Sequence, residues 1–327
     1  MALSIDYYSG NNIEWDNFIL NKSMNGTFLQ TRKFIDYHKD GKFKDCSICI
    51  RKGDELVAAI LACGTEDDGK AFFAHKGTTF GGITISKQIY NASQIDELMN
   101  LLESFLLKEG FKKAYFKMVP QIYQKENADL IDYFLYKYGY TEYSELNYYM
   151  HLDRYKEDVI SQFTTSKRRD FRYSLKNNLE FKVLNTKEEI EEYYGVLLLN
   201  LKKLGLNPVH TYDDLIDLKF NRFDDIINFY GVYLEDKMIA GSMTFDICDD
   251  IVHTQYLSSD EQYLKMFPMD FLIENLIQVA VDKGKKLFSF GICTEDQGRY
   301  LNLGLSRFKE GFGTEFCINK SFEKVYK

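Results

Sequence analysis

The same order of elements is written twice along this chain, and that repeat limits the fold more than any single motif. In the first half, residues 46–51 and 56–62 read as strands across the polar turn 52–55, and residues 71–76 supply a third after a turn at 65–70. In the second half, residues 229–234, 238–245 and 251–257 repeat the pattern across turns at 235–237 and 248–250. Both triplets predict antiparallel meanders. Each then gives way to an amphipathic helix. Ile95, Leu98, Met99, Leu102, Phe105 and Leu106 form one stripe, and Met269, Leu272, Ile273, Leu276, Ile277 and Ala280 form the other. Ser93 and Asp96 resemble a capping pair for the first helix, and Pro268 suits the first turn of the second. Gly110 and Gly284 end the two helices, and a strand that opens on paired lysines follows each.

The repeat predicts a mixed α/β (α+β) chain of two tandem domains, residues 1–150 and 151–327, each a central mixed sheet flanked by helices. A length of 327 residues agrees, because single cores stop growing at roughly 250 to 300 residues. Two helices open the second domain. One spans residues 162–178. The other spans 186–204, with Thr186 and Glu189 as a capping box and Gly205 and Pro208 ending it.

Composition narrows the function. With 45% hydrophobic residues and only 3 prolines, the chain has none of the composition of a disordered protein. No basic segment and apolar run open it, and no stretch reaches the ~18 apolar residues of a membrane span, so a soluble cytoplasmic protein is expected. Its 49 acidic and 41 basic residues leave a net charge of −8, which disfavours a large nucleic-acid footprint, tRNA included. The six cysteines are expected to be reduced. Cys46 and Cys49 form a C-x-x-C, but they fall on opposite faces of one strand with no second pair nearby, so no metal is expected.

The meander followed by a helix and a parallel fifth strand resembles the GNAT acyltransferase fold. Segments over nearly the whole chain also resemble the two-domain GNAT proteins related to the Fem peptidoglycan-bridge transferases. They are Thr27-Phe-Leu-Gln-Thr31, Ser166-Lys-Arg-Arg-Asp-Phe-Arg172, Met238-Ile-Ala-Gly-Ser-Met-Thr-Phe245 and His253-Thr-Gln-Tyr-Leu-Ser-Ser259. Last comes Phe290-Gly291 leading to Gly304-Leu-Ser-Arg-Phe-Lys-Glu-Gly-Phe-Gly313. The resemblance implies an N-acyltransferase that joins an activated acyl group to the amine of a small or sugar-linked cell-envelope acceptor, in a cleft between an acceptor-side first domain and a donor-side second domain. Ordinary GNAT enzymes draw the acyl group from acyl-CoA, such as acetyl-CoA; Fem proteins draw it from aminoacyl-tRNA. The chain departs from the Fem pattern. Phe34 follows Gln30 where relatives favour Trp, and His38 stands where a precursor-binding Lys is expected. Ser289 replaces the Asp usual before Phe-Gly, and no helical arm interrupts the second domain. Acyl-CoA is therefore the expected co-substrate and aminoacyl-tRNA the alternative. Residues 258–267 lack the glycine-rich loop of acyl-CoA enzymes, which leaves a third reading, a non-catalytic binding protein on the same architecture.

Acyl transfer to an amine needs a proton acceptor, a donor to the developing oxyanion, an acid for the leaving group, and positioning. By analogy with the GNAT fold, residues 251–257 splay from the next strand. Leu257, Ser258, Ser259, Phe267 and Met269 then line the donor, and the helix start after Pro268 favours a phosphate. His253 has the imidazole that suits proton transfer near neutral pH, or is a strand histidine bonded inside the fold. Tyr256 can protonate a leaving group or be a half-buried strand residue; Asp246 reads as a turn residue. Lys309 occupies the place where the resembling family uses a lysine to stabilise substrate or transition-state charge, with Phe308 beside the acceptor. The alternative for Lys309 is a solvated lysine on a surface helix. Arg168, Arg172 and Lys176 form a basic stripe that either holds acceptor phosphates or faces solvent. Gly81 and Gly82, in the stretch 75–82, either admit an acceptor close to the backbone or mark a loop with awkward dihedrals.

Overall fold

The structure, a computed structural model, describes residues 2–39, 41–65, 70–74, 76–154, 158–203 and 205–326. Its contacts divide into two units, residues 1–145 with 296–299 and 318–327, and residues 146–295 with 300–317. The return of the C-terminal segment to the first unit is not visible in the sequence repeat.

The first unit runs through β1 (Leu3–Tyr7), α1 (Asn12–Asn17), α2 (Arg32–Ile35), β2 (Lys44–Asp45), β3 (Ile48–Lys52) and β4 (Glu55–Ile60). It continues with β5 (Cys63–Thr65), β6 (Ala71–Ala74), β7 (Thr84–Ile85), α3 (Ala92–Lys108), β8 (Lys113–Lys117) and α4 (Leu130–Lys137). As the pattern predicts, β3 and β4 are antiparallel. The meander does not continue into β6, however. β4 pairs with β7 in a sheet of order β1-β3-β4-β7, while β6 lies antiparallel to β5 and parallel to β8. Ser47 marks the break: its Oγ accepts from the Ala62 N–H at 3.0 Å and donates to Asp45 Oδ1 at 2.6 Å. A side chain thus replaces a rung of the ladder, and both strands change sheet there. The turn residues 66–69 and His75, part of the predicted third strand, lie outside the described residues.

α3 buries Ile95, Leu98, Met99, Leu102 and Leu106 against Ile48, Val57, Phe72 and Phe116, as its periodicity predicts. Its cap differs from the predicted pair. Asn91 accepts from the Gln94 N–H at 3.1 Å, because the helix starts at Ala92 and Ser93 is already inside it. Asp96 instead accepts from Lys137 Nζ at 2.6 Å. Cys46 and Cys49 are buried in two separate clusters, as alternation predicts.

Next come β9 (Thr141–His151), α5 (Thr165–Ser174), β10 (Leu179–Leu184), α6 (Lys187–Lys203), α7 (Tyr212–Ile216), β11 (Ile227–Leu234), β12 (Lys237–Cys248) and β13 (Ile251–Ser259). They are followed by α8 (Pro268–Asp282), β14 (Leu287–Ile292), β15 (Thr294–Glu295), β16 (Tyr300–Leu301), α9 (Leu303–Glu310) and β17 (Glu315–Val325). In the second unit β10 to β13 form a continuous antiparallel run, and β13 then pairs parallel with β14. That parallel pair needs a crossover, and α8 provides it. α8 packs Leu272, Ile273, Leu276, Ile277 and Ala280 against Ile239, Val252 and Phe288. Each fully buried Leu or Ile there contributes about 1.5–3 kcal/mol relative to exposure. The helix predicted over 162–178 is shorter than expected: Thr164 caps it, it spans Thr165–Ser174, and residues 175–178 turn the chain into β10, which pairs with β11. The capping box of α6 forms as predicted. Thr186 Oγ1 accepts from the Glu189 N–H at 3.2 Å, and Glu189 Oε2 accepts from the Thr186 N–H at 3.0 Å. Leu204, the predicted end of that helix, lies outside the described residues.

Candidate active site

In the second unit, β13 and β14 pair only at Ile251↔Leu287, Val252↔Phe288 and His253↔Ser289. β13 then runs on against β12, through a bulge at Gln255 where the register shifts between Thr244↔Thr254 and Met243↔Tyr256. β14 bulges as well, between Ser289 and Gly291, and Gly291 has φ 74. The two strands therefore part at His253, as the resemblance implies. The register opposes His253, Tyr256 and Ser258 to Phe245, Met243 and Gly241, alternate residues of β12, so the three share one face of the sheet.

Lys309 is drawn into this region by α9. Asn302 caps the helix by accepting from the Leu305 N–H at 3.0 Å, and the helical period turns Ser306 and Lys309 inward together. Tyr148 holds the helix against β9, with its hydroxyl 2.7 Å from Ser306 Oγ. Lys309 is only 4% exposed, so the solvated-lysine alternative does not hold. Its Nζ donates to the carbonyl oxygens of Phe290, Gly291 and Ile292 at 2.8, 3.0 and 2.8 Å. An ammonium has three protons, and these contacts use all of them. Burial pulls its pKa down to about 8, while the Cys293 thiol pulls it back up.

His253 lies beside the same bulge. Its Nδ1 is 3.3 Å from Ser289 Oγ, and a Cβ on Gly291 would come within 3.2 Å of its Cε1. Burial first, and then the Lys309 charge, lower its pKa to about 3. The ring is neutral at physiological pH, and the proton-transfer range of an ordinary imidazole does not carry over to this position. Ser289, in the place of the family's Asp, is fully buried. A carboxylate there would add a charge beside a neutral imidazole; the hydroxyl brings none.

Tyr256 is half-buried and its hydroxyl is 2.9 Å from Nδ1 of His210, a residue the sequence patterns do not single out. Burial raises the phenol pKa to about 12, against the nearby backbone groups of Val209 and His210. Leu257, Ser259, Phe267 and Met269 are half-buried, while Ser258 is fully buried with an Oγ that has no hydrogen-bond partner. Phe267 takes the left-handed conformation at φ 56 just before Pro268 opens α8. The first turn of α8 carries a buried carboxylate, Asp270, whose Oδ1 is 2.7 Å from Lys167 Nζ. Burial raises the Asp270 pKa and Lys167 counters it. The Lys167 ammonium also lies over the rings of Phe308 and Phe312, 4.4 and 4.8 Å from their centroids. The first turn of the helix thus already holds a carboxylate of the chain's own, paired with Lys167.

Arg168 is half-exposed and Arg172 exposed on α5. The helix ends at Ser174, so Lys176 lies beyond it, with its ammonium 5.0 Å from the Tyr173 ring centroid. Asp246 lies within β12 rather than in a turn, and pairs with Lys285 at 3.1 Å. In the first unit, the N–H groups of Gly81 and Gly82 donate to the carbonyls of Lys117 and Ala74 at 2.8 and 2.7 Å. Gly82 has φ 75, and a Cβ on it would meet Met118 Sδ at 2.8 Å. Chain packing accounts for that glycine. A cavity of about 250 Å³ in the same unit is lined by Arg32, Asp36, His38, Lys39, Asp45 and Lys76 among others. The Arg32 guanidinium lies over Tyr8 at 3.7 Å and donates to Asp45 Oδ2 at 2.6 Å. Among the described residues no three His, Cys, Asp or Glu side chains are grouped to hold a metal ion, and no helix is long and apolar enough to cross a membrane.

No family model matches the chain, and no curated protein matches it. Solved structures do match. FemX aligns over 99% of this chain and 97% of its own with a TM-score of 0.70 at 13% identity. The C-terminal domain of a putative lysylphosphatidylglycerol synthetase from Agrobacterium fabrum aligns over 96% and 92%, with a TM-score of 0.62 at 12% identity. A tandem GNAT protein from the clavulanic acid biosynthesis pathway aligns over 99% and 98%, with a TM-score of 0.58 at 8% identity. The fold is therefore a tandem GNAT fold of the kind found in FemX, as the sequence resemblance implies.

Proposed function

We propose that the chain is an N-acyltransferase and that transfer takes place where β13 parts from β14. The observation that carries this reading is the end of strand pairing at His253↔Ser289 followed by the bulge at Gln255. Beyond that point one backbone edge of β13 has no strand beside it. Its N–H groups can hydrogen-bond a donor carbonyl and then the oxyanion that forms when the amine attacks. Tyr256 keeps its proton at neutral pH and is suited to give it to the leaving group. Lys309 gathers three carbonyls at the β14 bulge and keeps a positive charge next to the site. His253 serves as a neutral wall of the site.

The acceptor is an amine on a small or sugar-linked molecule, such as a cell-envelope precursor met in the cytoplasm. Arg168 and Arg172 on α5 offer a basic surface that suits an anionic group on it. Acyl-CoA as donor would seat phosphate at the start of α8, near Phe267 and Met269. Asp270 in that turn favours the second reading, in which an aminoacyl ester such as aminoacyl-tRNA is the donor and no phosphate is needed there.

Thermal unfolding with acetyl-CoA, a longer acyl-CoA and charged tRNA separates the donors, because a ligand at 100 times its Kd stabilises by about 2.7 kcal/mol. Stabilisation by one class, with amine-dependent release of free CoA or deacylated tRNA, is the expected result. The absence of stabilisation and turnover across all three would refute the transferase reading in favour of a non-catalytic binding protein.

A further inference from the structure

His210 has the placement of a residue that works through another. Its side chain is 4% exposed, its Nδ1 is 2.9 Å from the Tyr256 hydroxyl, and the two rings meet nearly edge-on at 88°. The backbone is held on both sides of that contact. Tyr194 donates its hydroxyl to the His210 carbonyl at 3.4 Å, and the next residue, Thr211, opens α7. There the Thr211 N–H donates to Asp214 Oδ2 at 2.8 Å and the Asp214 N–H donates to Thr211 Oγ1 at 3.2 Å. Tyr256 is fixed as well, since Ser242 Oγ donates to its carbonyl at 2.8 Å. A phenol and an imidazole that meet in this way have their proton direction set by the imidazole tautomer.

We infer that His210 is a positioning residue for acyl transfer, holding the Tyr256 hydroxyl at the open edge of β13 and acting only through it. The inference rests on the transferase reading above. In the step it serves, the Tyr256 O–H bond breaks and its proton goes to the oxygen or sulfur of the leaving group, which departs neutral. The hydrogen bond from His210 stabilises the phenolate that remains until it is reprotonated, through solvent, by the proton that the attacking amine nitrogen gives up. A histidine that merely fills space would affect folding alone.

A double-mutant cycle with His210→Gln, His210→Phe and Tyr256→Phe tests this, together with the ¹⁵N spectrum of the chain's 5 histidines. His210→Phe should lower kcat by about 10- to 100-fold, within the range general-acid groups supply, with KM nearly unchanged. His210→Gln, which keeps a hydrogen-bonding group, should recover part of that loss. In the Tyr256→Phe background neither His210 change should lower kcat further. A loss that persists at full size in that background, or one seen only in thermal stability, would overturn the inference. If no donor gives turnover, the transferase reading fails by itself. The contact is then decided by whether Tyr256→Phe moves the His210 Nδ1 resonance, and an unmoved resonance rules it out.

Discussion

Replacing Lys309 with methionine removes a buried charge while nearly conserving its shape, and the consequences can be worked from its contacts. Three carbonyls lose their donor, at about 1–3 kcal/mol each for a buried acceptor left unpaired. Against this, the fall of the Lys309 pKa from 10.5 to about 8 records a net cost of burying the charged form of roughly 3 kcal/mol, which methionine does not incur. With about 2 kcal/mol per carbonyl, the net loss is roughly 2–3 kcal/mol, or about 5–10 °C in Tm for a unit of this size. The pH dependence is the sharper part. Between about 8, the folded pKa, and 10.5, the ordinary value, the unfolded chain binds more protons than the folded one, so Lys309 makes stability rise with pH across that window. Methionine has no such contribution. The stability gap between the natural protein and Lys309→Met should therefore widen from pH 7 to pH 10, as read by denaturant unfolding followed by circular dichroism at both values. A gap that stays constant or narrows would refute the picture of a dry, carbonyl-bound ammonium. Where the charged form supports transfer, kcat of the natural protein should also fall as pH rises through about 8.

Gly291→Ala forces a side chain into the left-handed region and against His253, and should cost about 1–2 kcal/mol in the backbone alone, measured by thermal unfolding, with a loss of kcat. Asp270→Asn leaves the half-buried Lys167 without its partner and should destabilise by about 1–3 kcal/mol; Lys167→Met in the same chain should recover part of the loss. Neutralising Arg168 and Arg172 together should raise the acceptor KM without changing the melting temperature, and a change in stability alone would return them to the solvent-facing surface.

The parts of the fold that were legible in the sequence are those whose cause is local. α3 and α8 show their buried stripes at helical spacing, α6 shows its capping box, and β11 to β13 alternate between clear turns. The first-unit meander reads the same way in sequence but divides between two sheets, because one serine hydroxyl at Ser47 stands in for a backbone rung. β10 was not legible. Its residues are half-exposed and their pattern is weak, and only pairing with β11 makes them a strand. In the candidate site, the region around Lys309, Phe308, His253 and Tyr256 could be marked from resembling segments. His210, in an unpatterned stretch after Pro208, could not.

By itself the sequence determined the repeat, the helices with their caps, and the residue types available for acyl transfer, since periodicity and turn chemistry act over a few residues. The tertiary structure alone decided what those residues are. In the sequence Lys309 is either a charge-stabilising lysine or a solvated one until carbonyls 17 to 19 positions away surround it, and Tyr256 gains its histidine from 46 positions away. A pKa depends on burial and on charges brought close in space, and neither is set by neighbours along the chain.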